Sequence, residues 1–115
     1  MNLLDLEKNK IKRAFIEGEL KVAVFGMGKM GLPLAAVFAD KGAKVIGVDI
    51  DEKRVEEINS RINPIKEEPG LEELVRKNVD EGRLKATTDG VKAAKDADLM
   101  IILVPTMIDN HGIVN

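Results

Sequence analysis

Three glycines in Gly26-Met27-Gly28-Lys29-Met30-Gly31 have the spacing at which a chain can wrap a phosphate group. They follow a short apolar run, Val22-Ala23-Val24-Phe25, and precede an apolar helical pattern. In such a strand-to-helix turn, Gly26 permits the tight turn and Gly28 lets the backbone approach a pyrophosphate, while Gly31 lets the helix pack closely on the strand. The bound charge would sit at the helix N-terminus, where unpaired N–H groups and the helix dipole favour an anion. Glycines crowd many strand-to-helix turns, so the context decides the reading.

A second apolar run, Lys44 to Val48, ends at Asp49, near the roughly 20-residue spacing expected of an acid that binds the adenosine ribose. The carboxylate would accept from both ribose hydroxyls and repel a 2′-phosphate, which favours NAD over NADP. The competing structural role is a helix cap: Asp49 or Asp51 could satisfy free N–H groups ahead of Val55 and Ile58.

The elements that must hold these residues alternate between strand and helix. Leu20 to Phe25 reads as a buried central strand, followed by a helix through Leu34, Ala35, Val37 and Phe38 that ends near Lys41-Gly42, with Pro33 tolerable in its first turn. Lys44 to Val48 is a second strand. Val55, Ile58 and Ile62 mark a helix that Asn63-Pro64 should end, and Pro69-Gly70 punctuates the connection onward. Leu71, Leu74, Val75 and Val79 form another helical stripe with Gly82 as its stop. Leu84 to Thr87 is a short third strand, and Thr88 or Asp89 caps a short helix. Leu99 to Val104 is a fourth strand, expected to be fully buried from its uninterrupted apolar content. Ahead of all this, Leu4, Ile11, Ala14 and Phe15 fall on one face of an amphipathic helix over residues 3–17, with Asn2 or Asp5 near its start and Gly18 as its stop. That helix should cover the core or meet a partner.

This alternation predicts an α/β Rossmann-type parallel sheet with helices on both faces, strand order 3-2-1-4, truncated after about four strands. A ligand should bind beyond the carboxyl ends of strands one and four, where the winding reverses. Residues 1–19 are expected to be a helical extension, and residues 20–115 a partial dinucleotide-binding domain.

Composition excludes several other classes. The 115 residues suffice for one domain, and a net charge of −2 with interspersed signs gives no basic patch for nucleic acid or an anionic membrane surface. There is no Trp or Tyr and only three Phe, which leaves no stacking platform for bases. The absence of cysteine removes disulfides, thiolate nucleophiles and Cys-based metal sites, and the single histidine, His111, is expected to be an exposed loop side chain. No apolar run is long enough for a signal peptide or a membrane span, so a cytoplasmic protein is expected.

Three motifs in order resemble the UDP-sugar 6-dehydrogenases: Gly26-Met27-Gly28-Lys29-Met30-Gly31-Leu32-Pro33-Leu34-Ala35, then Asn63-Pro64-Ile65 leading to Glu68-Pro69-Gly70-Leu71, then Val104-Pro105-Thr106. The likeness is strongest to their UDP-N-acetylmannosamine dehydrogenase branch and runs from Leu20 to the C-terminus. It implies oxidation of a sugar C6 alcohol to a carboxylate with two NAD, through an aldehyde and a thioester on a catalytic cysteine. It also implies that backbone at Gly28, Lys29, Met30 and Gly31 cradles pyrophosphate, that Asp49 and Arg54 approach the adenosine ribose, and that Thr106, after Val104 and Pro105, lies near the nicotinamide. For Arg54 the alternative is a solvated helix face. For Thr106 it is a loop hydroxyl bonded to its own backbone.

Where many members of the family have Tyr-Val between the last two glycines, this sequence has Lys29-Met30, and Met107 stands where a second proline is common. The resemblance implies several hundred residues with a substrate domain and a nucleophilic cysteine. The chain is therefore expected to be the cofactor-binding piece of a dehydrogenase, unable to turn over by itself, whose UDP-sugar meets only the full-length enzyme. Family members are usually dimeric or larger, so a homo-oligomer is a further expectation. Two alternatives remain at this point: a stand-alone NAD-sensing regulatory module of a potassium transport system, and the cofactor domain of a hydroxyacid or hydroxyacyl dehydrogenase. The Pro69-Gly70-Leu71 insertion between the second and third strands argues against the first.

Overall fold

The computed structural model describes residues 20–66 and 68–103 together with Asn9, so the expected helix over residues 3–17 and His111 lie outside the described residues. Four parallel strands form one sheet in the order β3-β2-β1-β4, with β1 at Lys21–Phe25, β2 at Lys44–Val48, β3 at Leu84–Thr87 and β4 at Leu99–Ile102. Four helices connect them: α1 (Gly31–Asp40), α2 (Glu52–Asn59), α3 (Leu71–Asp80) and α4 (Gly90–Asp96).

Register divides the side chains between two faces. Val22 lies beside Val45 and Leu99, and Val45 beside Leu84; on the opposite face Ala23 lies beside Ile46 and Met100. The first face carries the main core, where Val22, Val24, Val45 and Leu84 meet Leu32, Ala35, Ile58 and Val75 of α1, α2 and α3. Burying each larger member contributes about 1.5–3 kcal/mol. The second face carries a smaller cluster of Ala23, Val48 and Ala93, flanked by Phe25 and Ile46, under α4. Helices therefore cover both faces, as the alternation predicts.

Local chemistry explains the helices. α1 buries small residues four apart, Gly31, Ala35 and Ala39, which bring its backbone close to the sheet. Pro33 sits in its first turn, where the missing N–H would have had no intrahelical partner. Asp51 caps α2 by accepting from the Lys53 and Arg54 N–H groups, and Asp89 caps α4 by accepting from Lys92.

Two expectations need correction. α2 ends at Asn59, not at Asn63-Pro64: Arg61 enters the left-handed region at φ 68°, and the Ile62 N–H returns to the Glu57 carbonyl at 2.8 Å. Ile62 therefore leaves the helical stripe and is exposed. Nor is β4 fully buried, since Leu99, Met100 and Ile102 are 44%, 50% and 65% exposed. An apolar run reveals that a strand is suited to burial, but β4 lies at the margin of the sheet, where only its Ile101 packs against the main core.

Candidate dinucleotide site

The glycine turn stands at the carboxyl end of β1, and its three glycines have three separate reasons to be glycine. Gly26 has φ +101°, a conformation that L side chains rarely adopt. A Cβ on Gly31 would overlap the Gly26 carbonyl, so the close approach of α1 to the turn depends on its absence. Gly28 is different: a Cβ there would meet only the Arg54 guanidinium, at 3.8 Å. The fold itself does not require glycine at position 28, whereas a ligand pressed against that backbone would.

Met27, between the first two glycines, is a core residue. Its side chain is wholly buried and lies against Gly47 of β2, while the Gly26 N–H donates to the Val48 carbonyl at 2.7 Å. The turn is thus pinned to β2. Beyond it, α1 begins at an N-cap, Met30, that provides no side-chain hydrogen bond, unlike α2 and α4 with their aspartate caps. With Pro33 lacking an N–H and the Leu32 N–H given to the Gly28 carbonyl at 3.1 Å, no side chain closes off the end of α1 that faces the turn.

Asp49 follows β2 directly and faces the turn. Its Oδ2 accepts from the Met27 N–H at 2.9 Å and its Oδ1 from the Asp51 N–H at 2.9 Å. The cap on α2 belongs to Asp51, so Asp49 is not the helix cap that was its alternative. Arg54 reaches back from the first turn of α2 to within 3.9 Å of Asp49 Oδ2, with only a third of its side chain exposed. Arg54 therefore overhangs the Gly28 edge of the turn instead of pointing from a solvated helix face.

An open crevice of about 260 Å³ lies at the carboxyl ends of β1 and β2, lined by Phe25, Gly26, Val48, Asp49, Ile50 and Leu103. A second, of about 370 Å³, lies along α1 beside Lys29, Met30, Pro33 and Leu103. A groove of about 380 Å³ between α4 and β3 lies away from the glycine turn, and charges of both signs, Lys85, Asp89, Lys92 and Asp96, line it. The first two flank the position where the strand order reverses between β1 and β4.

The structure therefore brings Gly26, Gly28, Lys29, Met30, Gly31, Asp49 and Arg54 to one edge of the sheet. Val104, Pro105 and Thr106 lie outside the described residues. Sequence reading missed Met27 and Gly47, whose only signal is a glycine inside a strand. Among the described residues, no group of three or more His, Cys, Asp or Glu side chains could hold a metal ion. No helix there is long and apolar enough to cross a membrane.

A parallel sheet with a glycine turn, an uncapped helix end and an acid after the second strand defines a Rossmann-type NAD-binding domain. Residues 20–115 match the model of the UDP-glucose/GDP-mannose dehydrogenase family, NAD binding domain. The chain belongs to that family. It is 49% identical over 94 residues to the UDP-N-acetyl-D-mannosamine dehydrogenase of Campylobacter jejuni, covering 79% of this chain and 22% of that protein. Against the GDP-mannose 6-dehydrogenase of Pseudomonas syringae pv. syringae, identity is 38% over 93 residues, covering 81% of this chain and 21% of that one. In three dimensions it superposes with a TM-score of 0.77 on the GDP-mannose dehydrogenase of Pseudomonas aeruginosa in a ternary complex, at 37% identity, covering 82% of this chain and 21% of that one. The chain thus spans about a fifth of the length of the relatives it matches.

Proposed function

We propose that this chain supplies the NAD site of a UDP-sugar 6-dehydrogenase, and that the sugar is UDP-N-acetyl-D-mannosamine. Asp49 accepts from the adenosine ribose hydroxyls, and Arg54 borders the same ribose. The backbone from Gly26 through Gly31, including Lys29 and Met30, receives the pyrophosphate, and Val104, Pro105 and Thr106 border the nicotinamide side. Residues 20–115 constitute the cofactor domain, and residues 1–19 a helical extension to it.

One observation carries the cofactor reading: Gly28 is open on the side of the turn that faces Arg54 and Asp49, although nothing in the fold itself demands glycine there. The Asp49 carboxylate at that edge supports NAD over NADP, because a 2′-phosphate beside it would meet a like charge. The choice of sugar is supported by the higher identity to the Campylobacter enzyme than to the GDP-mannose enzyme. Bound NAD would supply the hydride acceptor for the sugar C6 carbon. Taking a primary alcohol to a carboxylate removes four electrons, hence two NAD per sugar. In the whole enzyme, the task of this chain is to bind and orient the dinucleotide, and the sugar pocket and the nucleophile for the second oxidation belong to other residues. Assembly as a homo-oligomer is part of the same proposal.

Calorimetric titration of the folded chain with NAD⁺, and with NADP⁺ as control, tests the cofactor assignment. Binding should favour NAD⁺, and Asp49→Ala should weaken it and narrow the preference. Equal affinity for the two nucleotides, or no effect of the substitution, would reject the site. Assay of the full-length gene product on UDP-N-acetyl-D-mannosamine, UDP-glucose and GDP-mannose tests the sugar.

A further inference from the structure

The turn leaves the sheet at Gly26, whose N–H makes the last main-chain bond to β2 through the Val48 carbonyl. The next N–H along the chain, that of Met27, is taken by a side chain and not by a main-chain carbonyl. The Asp49 carboxylate accepts it at 2.9 Å. Met27 is held from its other side by its buried side chain against Gly47. The position of the backbone entering Gly28 is thus set jointly by packing and by one carboxylate.

We infer that Asp49 is a positioning residue for the pyrophosphate subsite, in addition to the ribose role on which this inference rests. A carboxylate has about four acceptor sites, and Met27 and Asp51 occupy two of them, one on each oxygen. The remaining two suffice for a ribose diol, so one side chain can hold the turn and the sugar together. Removing it should misplace the amides that face the phosphates even for a ligand that has no hydroxyls to offer.

The sign of the effect separates this from a role limited to ribose. If Asp49 served only the hydroxyls, its removal would strengthen binding of a phosphate ligand lacking them, by relieving like-charge repulsion. If it positions the turn, the same change weakens that ligand.

The experiment titrates ADP and 2′,3′-dideoxy-ADP into the full chain, Asp49→Asn and Asp49→Ala, and follows amide hydrogen exchange at Met27 without ligand. Asp49→Ala should weaken dideoxy-ADP by roughly fivefold or more and speed exchange at Met27, in line with loss of a hydrogen bond to a charged group. Asp49→Asn, whose single amide oxygen can still accept from the Met27 N–H but not also from that of Asp51, should bind dideoxy-ADP more tightly than Asp49→Ala does while losing affinity for ADP. Dideoxy-ADP affinity that is unchanged or improved in Asp49→Ala would overturn the positioning role and leave the ribose role standing. A parent chain that binds neither nucleotide would overturn the nucleotide reading itself, and the positioning role with it.

Discussion

The thioether of Met27, between the first two glycines of the turn, lies against Gly47 of the neighbouring strand β2. Met27 is wholly buried, and a Cβ on Gly47 would overlap its side chain. The contact joins the core to the site: the side chain that fills the sheet surface carries the N–H that Asp49 holds.

Gly47→Ala should therefore destabilise the chain by about 1–3 kcal/mol, the usual cost of overpacking a filled core. Urea unfolding reads the loss. Because the clash is with one side chain, Met27→Ala combined with Gly47→Ala should cost less than the sum of the two single changes. Additive losses would place the strain elsewhere.

Gly28→Val separates fold from ligand. With φ outside the left-handed region and only the Arg54 guanidinium near the new side chain, the variant should keep its stability to within about 1 kcal/mol. NAD⁺ affinity should fall more than about tenfold, because the valine occupies the approach of the pyrophosphate. Parallel denaturation and calorimetric titration measure both quantities.

Asn59 protects an edge. Its side-chain amide donates to the Ala86 carbonyl at 2.9 Å and accepts from the Ala86 N–H at 2.8 Å, the two groups that β3 turns away from β2. Asn59→Ala should cost about 1 kcal/mol and accelerate amide exchange at Ala86, with little effect on NAD⁺ binding. Unaltered exchange at Ala86 would contradict the pairing.

Between α1 and α3, Asp40 accepts from Lys77 at 3.1 Å and from Asn78 at 3.4 Å. The Lys77 hydrogen bond, then that of Asn78, holds the Asp40 carboxyl below its ordinary value of 3.8. A depressed carboxyl contributes stability that is fully present above its unfolded pKa and is lost as pH falls through the folded one. The stability advantage of the parent over Asp40→Asn should therefore be constant near neutrality and shrink below about pH 4. Urea midpoints for both proteins across that range provide the check.

Much of this fold could be read from periodicity and punctuation. Strands β2 and β3 lie on the predicted residues: the apolar run of β2 stops at Asp49, and β3 alternates buried Leu84 and Ala86 with exposed Lys85. The ends of α1 and α3 were marked by Gly42 and Gly82, which take the positive φ that closes the last turn. The end of α2 was not, because Arg61 takes the same conformation without being glycine. What holds it there includes an ion pair to Asp80 at 2.6 Å, a residue of α3 that no local pattern connects to it. The three glycines and Asp49 are legible from type and spacing, whereas Arg54 enters only through the family resemblance. That Met27 belongs to the core, that Asp51 and not Asp49 caps α2, and that β4 stays exposed were beyond that reading.

The amino-acid sequence by itself determined the order of strands and helices, the strand order 3-2-1-4, the glycine turn and the acid 23 residues beyond its first glycine. These follow from side-chain periodicity, turn chemistry and the handedness of crossovers, all of which act along the chain or between consecutive elements. Only the tertiary structure decided which of two aspartates faces the turn, which glycine has room for a side chain and which apolar strand stays largely exposed. Those outcomes depend on distances between segments more than twenty residues apart, and a carboxylate directed at Met27 differs from one directed at a helix end by packing alone.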